Sequence, residues 1–170
     1  KTRSPVPEGR RPRGVLDTSV LIDLEQIDQS TLPTESAISA VTLAELAAGP
    51  HATTDPDERA RRQDRLQRVE AEVDLLPVDA AVARAYGRVY AAVAAAGRSA
   101  RGRRTFDLLI AATALAANLP LYTRNPVDFS ELSDLLEIIS AKPIEDTLTV
   151  REGIEPPQPN GARSPGLPSC

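Results

Sequence analysis

The stretch RTFDLLIAATALAANLPLYTRNPVDF, Arg104 to Phe129, decides how this chain folds. Its first part, Phe106 to Asn118, sets Asp107, Ile110, Ala111 and Ala114 at helical spacing on one face, and the other face is equally apolar. A helix that is apolar all round must be covered on every side, so this one is expected at the centre of the molecule. Pro120 to Thr123 then reads as a short strand, and Asn125-Pro126 as a turn signal. A buried helix running into a short apolar strand is part of a pattern in which parallel strands alternate with covering helices.

The alternation continues in both directions. GVLD, Gly14 to Asp17, reads as a first strand, followed by a helix from Thr18 toward Gln26. Ala37 to Ala40 reads as a second strand leading into TLAELAAGP, a helix stopped by Gly49 and Pro50. Asp55 to Glu72 is a charged, largely exposed helix carrying Arg59, Arg61, Arg62, Arg65 and Arg68. Leu75 to Val78 is a strand, Asp79 to Ala96 an Ala-rich helix ended by Gly97, Arg98 to Arg104 a basic loop, and Glu137 to Ser140 the last strand. The ends, KTRSPVPEGRRPRG and REGIEPPQPNGARSPGLPSC, have no hydrophobic period. Residues 1–13 and 149–170 are therefore expected to be flexible tails around one domain at 14–148. No Met opens the chain, so the sequence is expected to begin after the true start.

Composition narrows the class. With 170 residues and 41% apolar content the chain can bury one sizeable core. That core is built of Ala, Leu, Val and Ile, with two Phe, three Tyr and neither Trp nor Met. No apolar run approaches a membrane span and no leader pattern opens the chain, so a cytoplasmic protein without membrane contact is expected. The single Cys170 excludes an intrachain disulfide and a Cys-based metal cluster. A net charge of -4 runs against nucleic-acid binding unless acid is concentrated at a site while Arg clusters face the phosphates.

Four acidic residues suit such a concentration. Asp17 ends a strand, Glu45 sits near the opening of a helix, Asp107 opens a helix and Asp128 follows a strand. In an open parallel sheet, ligands bind beyond the carboxyl ends of the strands, where all four can converge. Each also has a structural explanation. Asp17 can cap the following helix, Thr42 to Glu45 matches a capping box, Asp107 suits a first helical turn, and Asp128 follows a turn. Clustered carboxylates repel one another unless a cation neutralises them, and a hard divalent ion such as Mg²⁺ or Mn²⁺ prefers such oxygen ligands. No His cluster competes, because His51 is the only histidine and reads as a surface loop residue.

VLDTSVLID (Val15 to Asp23), SAVTLAELAAG (Ser39 to Gly49) and the stretch quoted first, in this order and spacing, resemble the VapC branch of the PIN-domain superfamily. The resemblance covers Gly14 to Leu148. It implies a three-layer α/β/α sandwich with a central parallel sheet, an acidic Mg²⁺ or Mn²⁺ site, and an endoribonuclease acting as the toxin of a toxin–antitoxin pair. It further implies a VapB-type antitoxin as partner and homodimerisation. Matched motif by motif, Asp17, Glu45 and Asp107 take the family's main acidic positions. Asn125 and Asp128 both fall in the segment of the fourth, with Asp128 favoured as the charge and Asn125 as a polar neighbour. Thr18 or Ser19 matches a hydroxyl position beside the first Asp, with Thr123 in support.

On this reading Asp17, Asp107 and Asp128 hold one or two cations, and Glu45 orients water or acts as the base on an RNA phosphodiester. Phosphate contacts are expected from Arg98, Arg101, Arg103 and Arg104, with Arg124 near the fourth acidic position. Two other readings compete. A phosphatase with an aspartyl nucleophile would need a second Asp two residues after Asp17, where Ser19 stands. A non-catalytic PIN-like module binding RNA or protein would keep the acidic residues for folding only.

Overall fold

A computed structural model of the chain describes residues 11–144. The expected tail at 149–170 and positions 1–10 of the other lie outside the described residues. Residues 11–13 already belong to the sheet region: Thr34 N–H donates to the Arg11 carbonyl and Glu35 N–H to the Pro12 carbonyl.

Among the described residues five strands and five α-helices follow in the order β1 (Arg13–Leu16), α1 (Thr18–Ile22), β2 (Glu35–Ser39), α2 (Ala40–Ala48), α3 (Pro56–Glu72), β3 (Asp74–Leu76), α4 (Ala80–Ala95), α5 (Arg104–Ala116), β4 (Leu121–Thr123) and β5 (Ile138–Ser140). The expected long first helix breaks after Ile22, and a separate 3-10 turn covers Leu24–Gln26. The strands form one sheet in the order β3-β2-β1-β4-β5, every neighbouring pair parallel.

Side-chain alternation along the strands sorts the core into two layers. Val15 and Leu121 face α4 and α5, joining Val82, Ala85, Val89, Val93, Leu108 and Ile110. Leu16, Ile38 and Tyr122 face the other side, joining Val20 and Leu21 of α1, Leu46 of α2 and Val69 of α3. The result is the expected α/β/α sandwich. Of the described helices α5 buries the most residues, as its all-round apolar pattern predicted: Leu108, Ile110, Ala111, Ala112 and Ala114 are fully buried. Burying side chains such as Leu108 and Ile110 stabilises the fold by roughly 1.5–3 kcal/mol each.

Local signals set the helix starts. Asp17, Asp55 and Asp79 cap α1, α3 and α4 by accepting hydrogen bonds from first-turn amides. Gly97 follows α4 at φ 69°, a left-handed conformation that glycine takes without strain. No helix among the described residues is long and apolar enough to cross a membrane.

Candidate active site

The strand order runs outward in both directions from the β1–β4 pair, which makes the carboxyl ends of these strands the switch point of the sheet. Asp17 lies there, one residue beyond β1. Its N–H donates to the Tyr122 carbonyl at 2.9 Å, which ties the ends of β1 and β4 together. The residue is only 6% exposed. Its Oδ1 accepts from Thr18 N–H at 2.8 Å, and its Oδ2 accepts from the Ser19 hydroxyl at 2.7 Å and the Thr123 hydroxyl at 2.9 Å. Asp17 thus caps α1 and is oriented by β4 at once, because one carboxylate has enough lone pairs for both.

The two hydroxyls are themselves fixed. Thr123, fully buried, accepts from Asn125 N–H at 3.1 Å, and Ser19 accepts from Arg124 N–H at 3.2 Å. Each hydroxyl accepts from a backbone amide and donates to Asp17, and the two hydroxyl oxygens lie 3.4 Å from each other.

Glu45 is not part of a capping box. Ser39 caps α2, accepting from Val41 N–H at 3.2 Å, and the helix starts at Ala40, before the Thr42 expected to open it. The buried Thr42 hydroxyl has no hydrogen-bond partner among the described residues. Glu45 lies in mid-helix, and its Oε2 accepts from the Thr18 hydroxyl at 2.5 Å. Thr18 therefore links the Asp17 backbone turn to the Glu45 carboxylate. A second hydroxyl pair, Ser39 and Thr113 at 3.0 Å, pins the end of β2 to α5.

Asp107 stands in the first turn of α5. Its carboxyl is pushed from 3.8 up to about 6, first by burial, then by the negative charges of Asp17 and Glu45, with Arg104 opposing and Asp128 adding a smaller push. The four carboxylates thus share one electrostatic environment although they come from four different segments. Asp128 is exposed in the first turn of the 3-10 helix Pro126–Leu132, and Asn125, also exposed, precedes that helix. Among the described residues, no three His, Cys, Asp or Glu side chains form a ready-made cation cage. Asp17 is instead engaged by the hydroxyls of Ser19 and Thr123, and Glu45 by that of Thr18. The donor set is all oxygen, and the mutual repulsion at Asp107 is what a hard divalent cation relieves, so the chemistry of the residues fits such an ion.

The arginines divide into two groups. Arg98 and Arg104 both pair with Glu131, whose side chain is only 4% exposed, and Arg104 also donates to the Asp128 carbonyl at 2.8 Å. Arg124 pairs with Asp23. These three side chains already have partners within the fold, and Glu131 and Asp23 were not singled out in the sequence. No local signal marks them, since Glu131 lies 33 and 27 positions from its arginines. Arg101 and Arg103 are exposed and make no ion pair among the described residues. On α3, Arg61 and Arg62 pair with Glu58 and Arg68 lies 3.7 Å from Glu25, as an exposed helix face would. His51 is exposed in the 3-10 turn Gly49–Ala52. A cavity of about 520 Å³, lined by Leu21, Ile22, Leu24, Arg65 and Val69 among others, contains none of the four carboxylates.

A parallel sandwich with Asp17 at the β1–β4 switch point and Asp107 electrostatically coupled to Asp17, Glu45 and Asp128 is an α/β domain with an acidic candidate site. The PIN domain matches residues 14–135, and the chain belongs to that family. It is 42% identical over 122 residues to Ribonuclease VapC5 of Mycobacterium tuberculosis, covering 70% of this chain and 87% of that one. Ribonuclease VapC of Rickettsia bellii is 30% identical over 139 residues, 78% of this chain and 98% of the relative. Among solved structures, VapBC-5 from Mycobacterium tuberculosis, a member of the VapBC family of toxin–antitoxin systems, superposes with a TM-score of 0.66 at 39% identity. That match covers 77% of this chain and 98% of the other.

Proposed function

We propose that this chain is an endoribonuclease of the VapC type, the toxin of a toxin–antitoxin pair, which hydrolyses RNA phosphodiester bonds with a Mg²⁺ or Mn²⁺ ion. The observation that carries the reading is the coupling at the switch point. Asp17 is fixed there by three hydrogen bonds, and Asp107 feels the charges of Asp17, Glu45 and Asp128.

Asp17, Asp107 and Asp128 would hold the cation, with Asn125 as a polar neighbour. When bound, such an ion polarises the phosphodiester and lowers the pKa of an attacking water.

The chain's own residues supply orientation and proton transfer. Thr123 and Ser19 hold the Asp17 carboxylate in one rotamer across the β1–β4 seam. Thr18 holds Glu45 facing the same crevice, where it accepts the proton of the attacking water. The products are a 5′-phosphate and a 3′-hydroxyl. A mechanism through the RNA's own 2′-hydroxyl would ordinarily use histidine, and the chain's only one, His51, is exposed in a turn next to α2.

A VapB-type antitoxin as partner rests on the systems to which the relatives belong, and homodimerisation is a further part of the proposal. The test is cleavage of end-labelled RNA by purified protein with Mg²⁺ or Mn²⁺, beside Asp17→Asn and a chelator control. Discrete cuts with 5′-phosphate ends, lost in both controls, are expected. Cleavage that persists in chelator, or that leaves a 2′,3′-cyclic phosphate, refutes the mechanism. A folded protein that binds RNA without cutting it favours the non-catalytic module.

A further inference from the structure

Phe106 is the most exposed aromatic ring among the described residues. It sits in the first turn of a helix that is otherwise the most buried in the molecule, yet it is 48% exposed. The chain has two Phe in all; the other, Phe129, is in the core. Among the described residues Phe106 has no aromatic partner, the one ring pair being Tyr86 with Tyr90. An exposed aromatic ring held in a helical turn is costly to leave in water and is suited to a flat apolar ligand.

Its neighbours indicate which ligand. Asp107 follows it directly and belongs to the acidic cluster. Arg103 lies three residues before it, so the two side chains share one face of the first turn, where Phe106 N–H donates to the Arg103 carbonyl at 3.1 Å. Arg103 and Arg101 are exposed and without ion pairs among the described residues, whereas Arg98, Arg104 and Arg124 are engaged inside the fold. The loop bearing them is anchored at the buried Ala100, whose carbonyl accepts from the Thr105 hydroxyl at 3.1 Å. A bare ring and unpaired cations next to a phosphodiester-cleaving site match the two requirements of single-stranded nucleic-acid binding, a stacking platform and a phosphate contact.

We infer that Phe106 is a stacking platform for an unpaired RNA base next to the scissile phosphate, with Arg103 on the adjoining phosphate. This inference rests on the ribonuclease reading above. Phe106 is a positioning residue for substrate and takes no part in the chemistry. A double-stranded substrate, whose bases are stacked on one another, offers the ring nothing.

The experiment compares wild type, Phe106→Ala, Phe106→Leu and Phe106→Trp on a short single-stranded RNA carrying 2-aminopurine around the cleavage site, with kcat and KM measured separately. Melting curves confirm the fold of each variant. Phe106→Ala and Phe106→Leu are expected to raise KM by about 10-fold with kcat little changed and to lose the quenching of 2-aminopurine, while Phe106→Trp restores both. Wild type that neither binds nor cuts RNA would sink the ribonuclease reading itself. If wild type cuts but all three variants match it in KM and quenching, only the stacking role is overturned. The same holds if Phe106→Ala leaves RNA binding intact and instead changes the molecular mass in solution, since the ring would then serve an interface between protein chains.

Discussion

Replacing Asp107 by Asn should make the cation-free protein more stable while destroying its activity. In the folded chain the Asp107 carboxyl is raised from 3.8 to about 6 by burial and by the charges of Asp17 and Glu45. Between those two values the folded state holds a proton that the unfolded state has released. Stability therefore falls as pH rises through this window, and the deficit is complete above about 6. Full conversion of that shift corresponds to about 3 kcal/mol. Asp107 is only half-buried, so solvent screening reduces this to ~1–2 kcal/mol. Asn keeps the shape and removes the charge. At pH 7.5 in chelator the variant should melt about 3–6 °C above wild type, and near pH 4 the difference should vanish. Adding Mn²⁺ should raise the melting temperature of wild type, since a ligand of the folded state stabilises it by mass action, and should do much less for the variant. Thermal unfolding followed by circular dichroism at both pH values, with and without Mn²⁺, reads all four cases. A variant equal to or less stable than wild type at pH 7.5 in chelator would refute the claim that Asp107 sits in a repulsive cluster.

Thr123→Val removes the hydroxyl that orients Asp17 and leaves the Asn125 N–H without its acceptor, so stability should fall by ~1–3 kcal/mol in urea titrations and kcat by about tenfold. Arg104→Ala leaves the buried Glu131 with Arg98 alone, which should cost about 2 kcal/mol. It also removes the one cation that lowers the Asp107 pKa, so the acid limb of the cleavage profile should move to higher pH, and an unmoved limb would dissociate Arg104 from the site. Gly14→Ala places a Cβ 2.4 Å from Cε2 of the buried Tyr122 ring, and the resulting shift of β1 against β4 should lower stability by roughly 1–3 kcal/mol in a melting experiment.

Much of the architecture was legible because it is written in local patterns. The apolar band from Phe106 to Asn118 announced a central helix, and the short runs at Gly14, Ala37 and Pro120 announced strands of one face-covered sheet. Boundaries shifted where a cap lay one turn from its expected place. The hydroxyl that starts α2 is Ser39, and Thr42 matched the capping-box spacing only by coincidence of residue type. Glu45 stood out in the sequence as a candidate, but its partner Thr18 is 27 positions away, which no spacing rule reaches. The arginines show the same limit. Their charges were visible, whereas the engagement of Arg98 and Arg104 by Glu131 depends on a loop and a 3-10 helix meeting in space.

By itself the sequence determined the parallel sheet, the family and which acidic residues are candidates for a site, since all of these follow from local periodicity and from motifs contiguous in the chain. Only the tertiary structure decided which hydroxyls orient Asp17, how far the neighbouring charges raise Asp107, which arginines stay unpaired and which aromatic ring remains exposed beside them. Those properties depend on distance and burial, and both arise when β1 and β4 pair and α5 packs behind them.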